Sequence, residues 1–161
     1  MLKKTFISSV IFLSASSSIY AKTTPYVGGG LGIGGYSQVS GWQGASANVF
    51  AGTGKLLDEH ENIYIGGEVG ANVSQNSVNN TTYGLSASVM PGLMLTKSTM
   101  LYAKAGLASD YKPNKSISIA TLTGIGVQTN VAKHWDVRTE FISFGANTGN
   151  QANVGVVYKF D

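Results

Sequence analysis

The chain is predicted to be all-β, an eight-stranded antiparallel up-and-down transmembrane β-barrel, on three observations. Apolar residues alternate with small or polar ones along about eight segments, and no segment beyond the leader carries helical periodicity. Charged residues are only 12%, while 21 of 161 residues are glycine, against a usual share of about 7%. A domain surrounded by water carries more charge than this, so much of the surface faces another medium.

The first element is an export leader, MLKKTFISSVIFLSASSSIYA. It has a basic start (Lys3, Lys4), an apolar run from Phe6 to Leu13, and a small-residue stretch ending at Ala21. The run is too short to cross a bilayer as a helix, so residues 1–21 are expected to be cleaved, leaving residues 22–161 as one barrel domain. Removing Lys3 and Lys4 from the formal +3 leaves +1, which withdraws the charge argument for a nucleic-acid partner. The absence of cysteine excludes disulfides, thiolate metal sites and a cysteine nucleophile.

The strands follow in order. YVGGGLGIGGY sets Val27, Leu31 and Ile33 against Gly28, Gly30, Gly32 and Gly34. Its Gly30 to Gly35 stretch also satisfies G-x-G-x-x-G. A dinucleotide loop needs a strand before it, a helix after it and an acidic residue about 20 positions on. Here a cleavage site precedes, no helical pattern follows and position 55 is Lys, so the glycines are read as an inward stripe and no cofactor is expected. ASANVFAGTGK opposes Ala45, Ala47, Val49 and Ala51 to Ser46, Asn48, Phe50 and Gly52, and IYIGGEVGANV opposes Ile63, Ile65, Val69 and Val73 to Tyr64, Gly66, Glu68 and Gly70. YGLSASVMPGLML follows, with Pro91 expected to mark a bulge or a break in pairing. LYAKAGLA and TLTGIGVQTNV continue the alternation. WDVRTEF keeps it but loses it at ISFG, and ANVGVVYKF closes the series. The lengths, roughly 9 to 13 residues, are those of membrane-crossing strands.

Short connections at Lys97–Thr99 and Ala132–His134 alternate with longer ones at Ser37–Gly44, Ser74–Thr82, Ser109–Ser116 and Gly145–Gln151. Short periplasmic turns and longer external loops are the asymmetry of an outer-membrane barrel. KLLDEHEN is expected to be a longer, acidic periplasmic turn.

The in-strand charges decide which face looks inward. Glu68, Lys104, Asp136, Arg138, Glu140 and Lys159 all lie on the small, polar face. Turned towards lipid, each basic residue near the midplane costs about 2–4 kcal/mol, so this face is expected to line the lumen. Glu68, Lys104, Arg138 and Glu140 sum to zero charge near mid-strand and are expected to form an ion network across a lumen filled by side chains.

Other motifs fall away. GTGK at Gly52–Lys55 lacks the first glycine and the hydroxyl residue of a phosphate loop. His60 and His134 have no zinc spacing, so no metal is expected. Trp135, Tyr158 and Phe160 at one rim and Tyr83 at the other read as aromatic girdles.

The C-terminal NVGVVYKF, with Gly155, Tyr158 and Phe160, resembles the closing-strand signal read by barrel-assembly machinery. With LYAKAGLA and GIGVQTNVAKHWDVRTEF, the chain from residue 22 to 161 resembles the OmpA-like and opacity-type small outer-membrane β-barrels. That resemblance implies a bacterial outer-membrane location. Its implied partners are outer-membrane lipids and lipopolysaccharide, the assembly machinery with periplasmic chaperones, and a host surface ligand. It also implies a non-enzymatic structural, adhesive or envelope-integrity role. A narrow porin-like channel is the alternative. A lipid-modifying enzyme ranks below both, because both histidines are expected on periplasmic turns and no H-x-S arrangement is present.

Overall fold

A computed structural model describes residues 23–34, 44–57, 60–75, 81–111, 117–145 and 149–160; the leader lies outside the described residues. Eight strands run in sequence: β1 (Thr24–Gly34), β2 (Ala45–Leu57), β3 (His60–Gln75), β4 (Thr81–Met94), β5 (Thr99–Tyr111), β6 (Ser118–Ala132), β7 (Trp135–Phe144) and β8 (Asn150–Lys159). Each pairs antiparallel with its chain neighbours, and β8 returns to β1, with Tyr26 opposite Lys159 and Gly34 opposite Gln151, to close the barrel. Closure leaves no strand edge unpaired, which is what a sheet needs where no water can satisfy backbone groups.

The strands run further than the alternation indicates. Ser74, Gln75, Thr81, Thr82 and Asp110, placed in loops by the sequence, belong to β3, β4 and β5. The long turn expected at KLLDEHEN is a correction. Leu56 pairs with Tyr64 and a bulge at Leu56/Leu57 carries the ladder to His60, so β2 ends at Leu57 and β3 begins at His60. Connections at 58–59, 95–98 and 133–134 make one end short, and those at 35–44, 76–80, 112–117 and 145–149 make the other end longer. In the 95–98 turn the Thr96 hydroxyl accepts from the backbone N–H of Ser98 (3.2 Å) and Thr99 (3.0 Å), fixing the chain reversal.

Pro91 breaks pairing without a bulge. The β4–β5 ladder stops at Val89–Ala105 and resumes at Gly92–Tyr102 in the same register, while Pro91 keeps its place opposite Ile65 of β3. Proline has no N–H to give β5, so one side of the ladder is lost and the other kept.

The exterior is apolar. Leu31, Val49, Ile65, Val89, Leu107, Ile125, Phe141 and Val154, one from each strand in turn, are exposed, the inverse of a water-soluble barrel and the pattern of a lipid-facing belt. Aromatic rings mark both rims. Trp135 and Phe160 are exposed at the short-turn end and stack edge-on against Tyr158 at 5.0 and 5.1 Å between centroids. Tyr83 and Tyr111, register partners, are exposed at the other end.

Candidate functional site: the barrel interior

Every second residue of a strand points into the lumen, and strand register sets the height at which each side chain meets those from across the barrel. Near the long-loop end, Ala108, Leu122, Ile142 and Phe144 form a buried apolar cluster. This accounts for the lost alternation at ISFG: Ile142 and Phe144 face inward, so at the top of β7 the inner face is apolar too.

Below this cap lies the charged layer. Lys104 Nζ donates to Glu68 Oε1 and to Glu140 Oε2, each at 2.8 Å, bridging β3 and β7 from β5. Arg138 Nη1 donates to Glu68 Oε2 at 2.5 Å, while its Nε and Nη2 donate to Gln128 Oε1 at 3.1 and 2.9 Å. Tyr102 donates to Glu140 Oε2 at 2.8 Å, and the Tyr26 hydroxyl lies 3.1 Å from Glu68 Oε2. Arg138, Glu68, Lys104 and Glu140 are all buried. The four residues singled out by sequence are thus brought into one connected group.

The group reaches further than those four. Gln128 Nε2 donates to Asp136 Oδ2 (2.5 Å), Asn130 Nδ2 donates to Asp136 Oδ1 (2.8 Å), and Lys159 pairs with the same carboxylate at 2.9 Å. A continuous polar chain therefore runs from Lys159 at the rim through Asp136, Gln128, Arg138 and Glu68 to Lys104 and Glu140. Above it, Gln151 Nε2 donates to Ser46 Oγ and Asn153 Oδ1, both at 2.8 Å.

Three aromatic rings surround the Arg138 guanidinium: Phe50 at 4.4 Å, Tyr102 at 5.3 Å and Tyr26 at 5.4 Å from ring centroid to Cζ. Facing a cation, the electron-rich ring faces replace part of the lost hydration. The glycines make room for the rings. A Cβ on Gly28 would overlap the Phe50 ring, one on Gly52 would fall 2.5 Å from the Tyr26 ring, and one on Gly126 would overlap the Tyr102 hydroxyl. The first two of these pairs are register partners on adjacent strands, as are Gly126 and Tyr102. The cage thus packs against glycines of three strands, Gly28 of β1, Gly52 of β2 and Gly126 of β6. Sequence reading missed the cage, although large aromatics on an otherwise glycine-rich inner face are its visible signal.

The two halves of the lumen differ in free space. Between the ion layer and the apolar cap a cavity of about 30 Å³ remains, lined by Asn48, Phe50, Glu68, Lys104, Leu122 and Ile142 among others. Below the ion layer, towards the short turns, a vestibule of about 600 Å³ opens, lined by Tyr64, Met94, Met100, Asn130, Asp136 and Lys159 among others. Among the described residues no group of His, Asp or Glu is placed to hold a metal ion.

Tyr158 and Phe160 lie at the short-turn end of the closing seam, while Gly155 sits at mid-barrel, opposite Gly30 of β1 and Arg138 of β7. Gly155 packs against Gly30 of β1, whose Cα is 3.1 Å from where a Gly155 Cβ would stand. The Tyr158 and Phe160 rings join the exterior rim.

No family model and no curated protein matches the chain. Among solved structures it is similar to Ail, the attachment invasion locus protein of Yersinia pestis, in complex with the heparin analogue sucrose octasulfate. That match has 10% identity over 87% of this chain and 100% of the other, with a TM-score of 0.60. Neisserial surface protein A matches at 14% identity, 87% and 98% coverage and a TM-score of 0.60. The N-terminal β-barrel domain of Pseudomonas aeruginosa OprF matches at 12% identity, 84% and 97% coverage and a TM-score of 0.54. At these identities the likeness is one of fold: the closed eight-stranded transmembrane barrel.

Proposed function

We propose that the chain is a bacterial outer-membrane barrel that works through its outer surface, in adhesion or envelope integrity, and neither conducts solute nor catalyses a reaction. The observation that supports this most is the blocked upper half of the lumen. An apolar cap and a neutral, fully bonded ion layer stand in series across it, so its chemistry is spent within the wall. The apolar belt and the two aromatic rims suit it to a bilayer, and the basic-apolar leader suits it to export. The short turns then face the periplasm and the longer loops face outward. Its partners are lipopolysaccharide and membrane lipids around the belt, a host surface ligand at the loops, and chaperones and assembly machinery that read Gly155, Tyr158 and Phe160 during insertion.

The heparin analogue in the Ail complex makes a sulfated glycan the first ligand to try. Cells lacking the protein, cells with it restored, and cells carrying a barrel with shortened long-end loops should be compared for adhesion to heparin-coated surfaces and for survival in bile salts. Loss of adhesion or of survival on deletion, and its return on restoration, is expected. Unchanged values in both assays, or steady ion current from the purified protein in a planar bilayer, would overturn the reading, the latter in favour of a narrow pore.

A further inference from the structure

The vestibule of about 600 Å³ at the short-turn end is lined by two kinds of surface. Along β2 to β5 it is apolar, with Leu56, Tyr64, Met94 and Met100. Gly54 and Gly66, register partners on β2 and β3, let the Tyr64 ring lie along this wall, since a Cβ on either would overlap it. The space in front of the ring stays open. Lysines border the mouth: Lys97 and Lys133 stand in the 95–98 and 133–134 connections, Lys55 near the end of β2 and Lys159 at the end of β8. Among the described residues, Asp136 is the one carboxylate of the lining, and it is paired with Lys159 at 2.9 Å. Beyond it, Glu68, Lys104, Arg138 and Glu140 sum to zero, so the charge that the lining leaves facing the vestibule is positive.

We infer that the vestibule binds a soluble organic phosphate, an aryl or alkyl phosphate whose apolar body lies against Tyr64, Met94 and Met100 and whose head meets the lysines at the mouth. A cavity of this size takes a small organic ligand, with an apolar wall for its body and a few charged groups for its orientation. An inorganic anion alone would leave the apolar wall wet. Lysine ammonium groups bind phosphate as point charges, and a dianionic head can meet several of them at once. The low-dielectric walls focus their field on the opening, which draws an anion in. The strands that enclose the vestibule also separate it from the bilayer, so a lipid could enter only by leaving its leaflet. The occupant is therefore a soluble molecule that arrives from the short-turn side.

The test uses the protein extracted from bacterial membranes and placed in phosphatidylcholine nanodiscs, its folding checked by the shift in gel migration on boiling. It is titrated with 1-naphthyl phosphate while the methionine ε-methyl groups are followed by NMR. The Met94 and Met100 signals are expected to move together to saturation, with Met90, which lies outside the lining, as the reference. Inorganic phosphate, which lacks the ring, and 1-naphthyl glucoside, which lacks the charge, should each bind at least about tenfold more weakly. K97M/K133M, altered only at exposed turn positions, should weaken binding by about tenfold. D58N/E59Q, which removes two carboxylates from the 58–59 connection at the same end, should leave it equal or tighter. Methyl signals that stay in place, equal binding of either control compound, unchanged binding by K97M/K133M, or weaker binding by D58N/E59Q would each overturn the proposal. Methyl shifts on adding phosphatidylglycerol to the discs without the probe would overturn it in favour of a lipid headgroup. The unaltered protein decides the question even where a variant does not fold. Adhesion is read at the opposite end of the barrel, so the two readings fail separately.

Discussion

Arg138→Met removes the cation at the centre of the lumen while keeping much of its volume. Arg138 is 2% exposed, and its guanidinium makes one ion pair, two hydrogen bonds to Gln128 and three ring contacts. Without it, Glu68 and Glu140 share the single positive charge of Lys104, and one buried carboxylate charge is left uncompensated. Breaking a buried pair from one side costs about 3–5 kcal/mol, several times what an exposed pair contributes. The assay is urea unfolding of the barrel in phospholipid vesicles, followed by the fluorescence of Trp135, which is exposed at the rim and so reports departure from the membrane. The loss should be largely recovered in E68Q/R138M, because removing both charges leaves no stranded ion. A single-variant loss below about 1 kcal/mol, or a double variant no more stable than the single, would refute the reasoning and describe a wet lumen that screens its charges.

Val89→Arg places a cation on the outer belt, where Val89 is exposed, and should destabilise the barrel by about 2–4 kcal/mol in bilayers of ordinary thickness; a neutral result in the same unfolding assay would reverse the facing of every strand. Gly126→Ala drives a methyl into the Tyr102 hydroxyl and within 2.8 Å of the Thr139 carbonyl, and should cost about 1–3 kcal/mol, read as a lower temperature for the boiling-dependent gel shift. Phe144→Ala opens the apolar cap but leaves the ion layer beneath it, so planar-bilayer current should stay at baseline. Lys159→Met should cost under about 1 kcal/mol in urea unfolding, since the Lys159 side chain is 29% exposed and Asp136 keeps two amide donors.

The fold was legible because a barrel writes its two environments on alternate residues, and the charges of Glu68, Lys104, Arg138 and Glu140 marked the inner one. Which of them meet was not legible. The Glu68–Arg138 contact joins β3 to β7 across the lumen, and its height depends on the stagger of all the intervening ladders, to which no single segment bears witness. The apolar cap was hidden for a related reason: at Ile142 and Phe144 the inward residues turn apolar while the outward Ser143 between them is polar, so the inner-polar pattern read along the rest of β7 breaks where the lumen is dry. Asp136 and Lys159 were visible on the inner face, but their link through Gln128 to Arg138 needed the β6–β7 register. The tight end of β2 was missed because Asp58, Glu59, His60 and Glu61 read as a solvated charge run, and a bulge that extends pairing by a few residues leaves no compositional mark.

The seam between β1 and β8 sets the order of events in the making of this protein. The first and last of the eight strands are hydrogen-bonded partners from Tyr26–Lys159 to Gly34–Gln151, so no intermediate lacking β8 has a way to cover both borders of its sheet. Until that last segment arrives, the growing wall has two adhesive margins, and long-range closure is the slow kind of pairing. A ribosome stalled before Asn150 would therefore release a sticky seven-stranded ribbon rather than a slightly smaller pore.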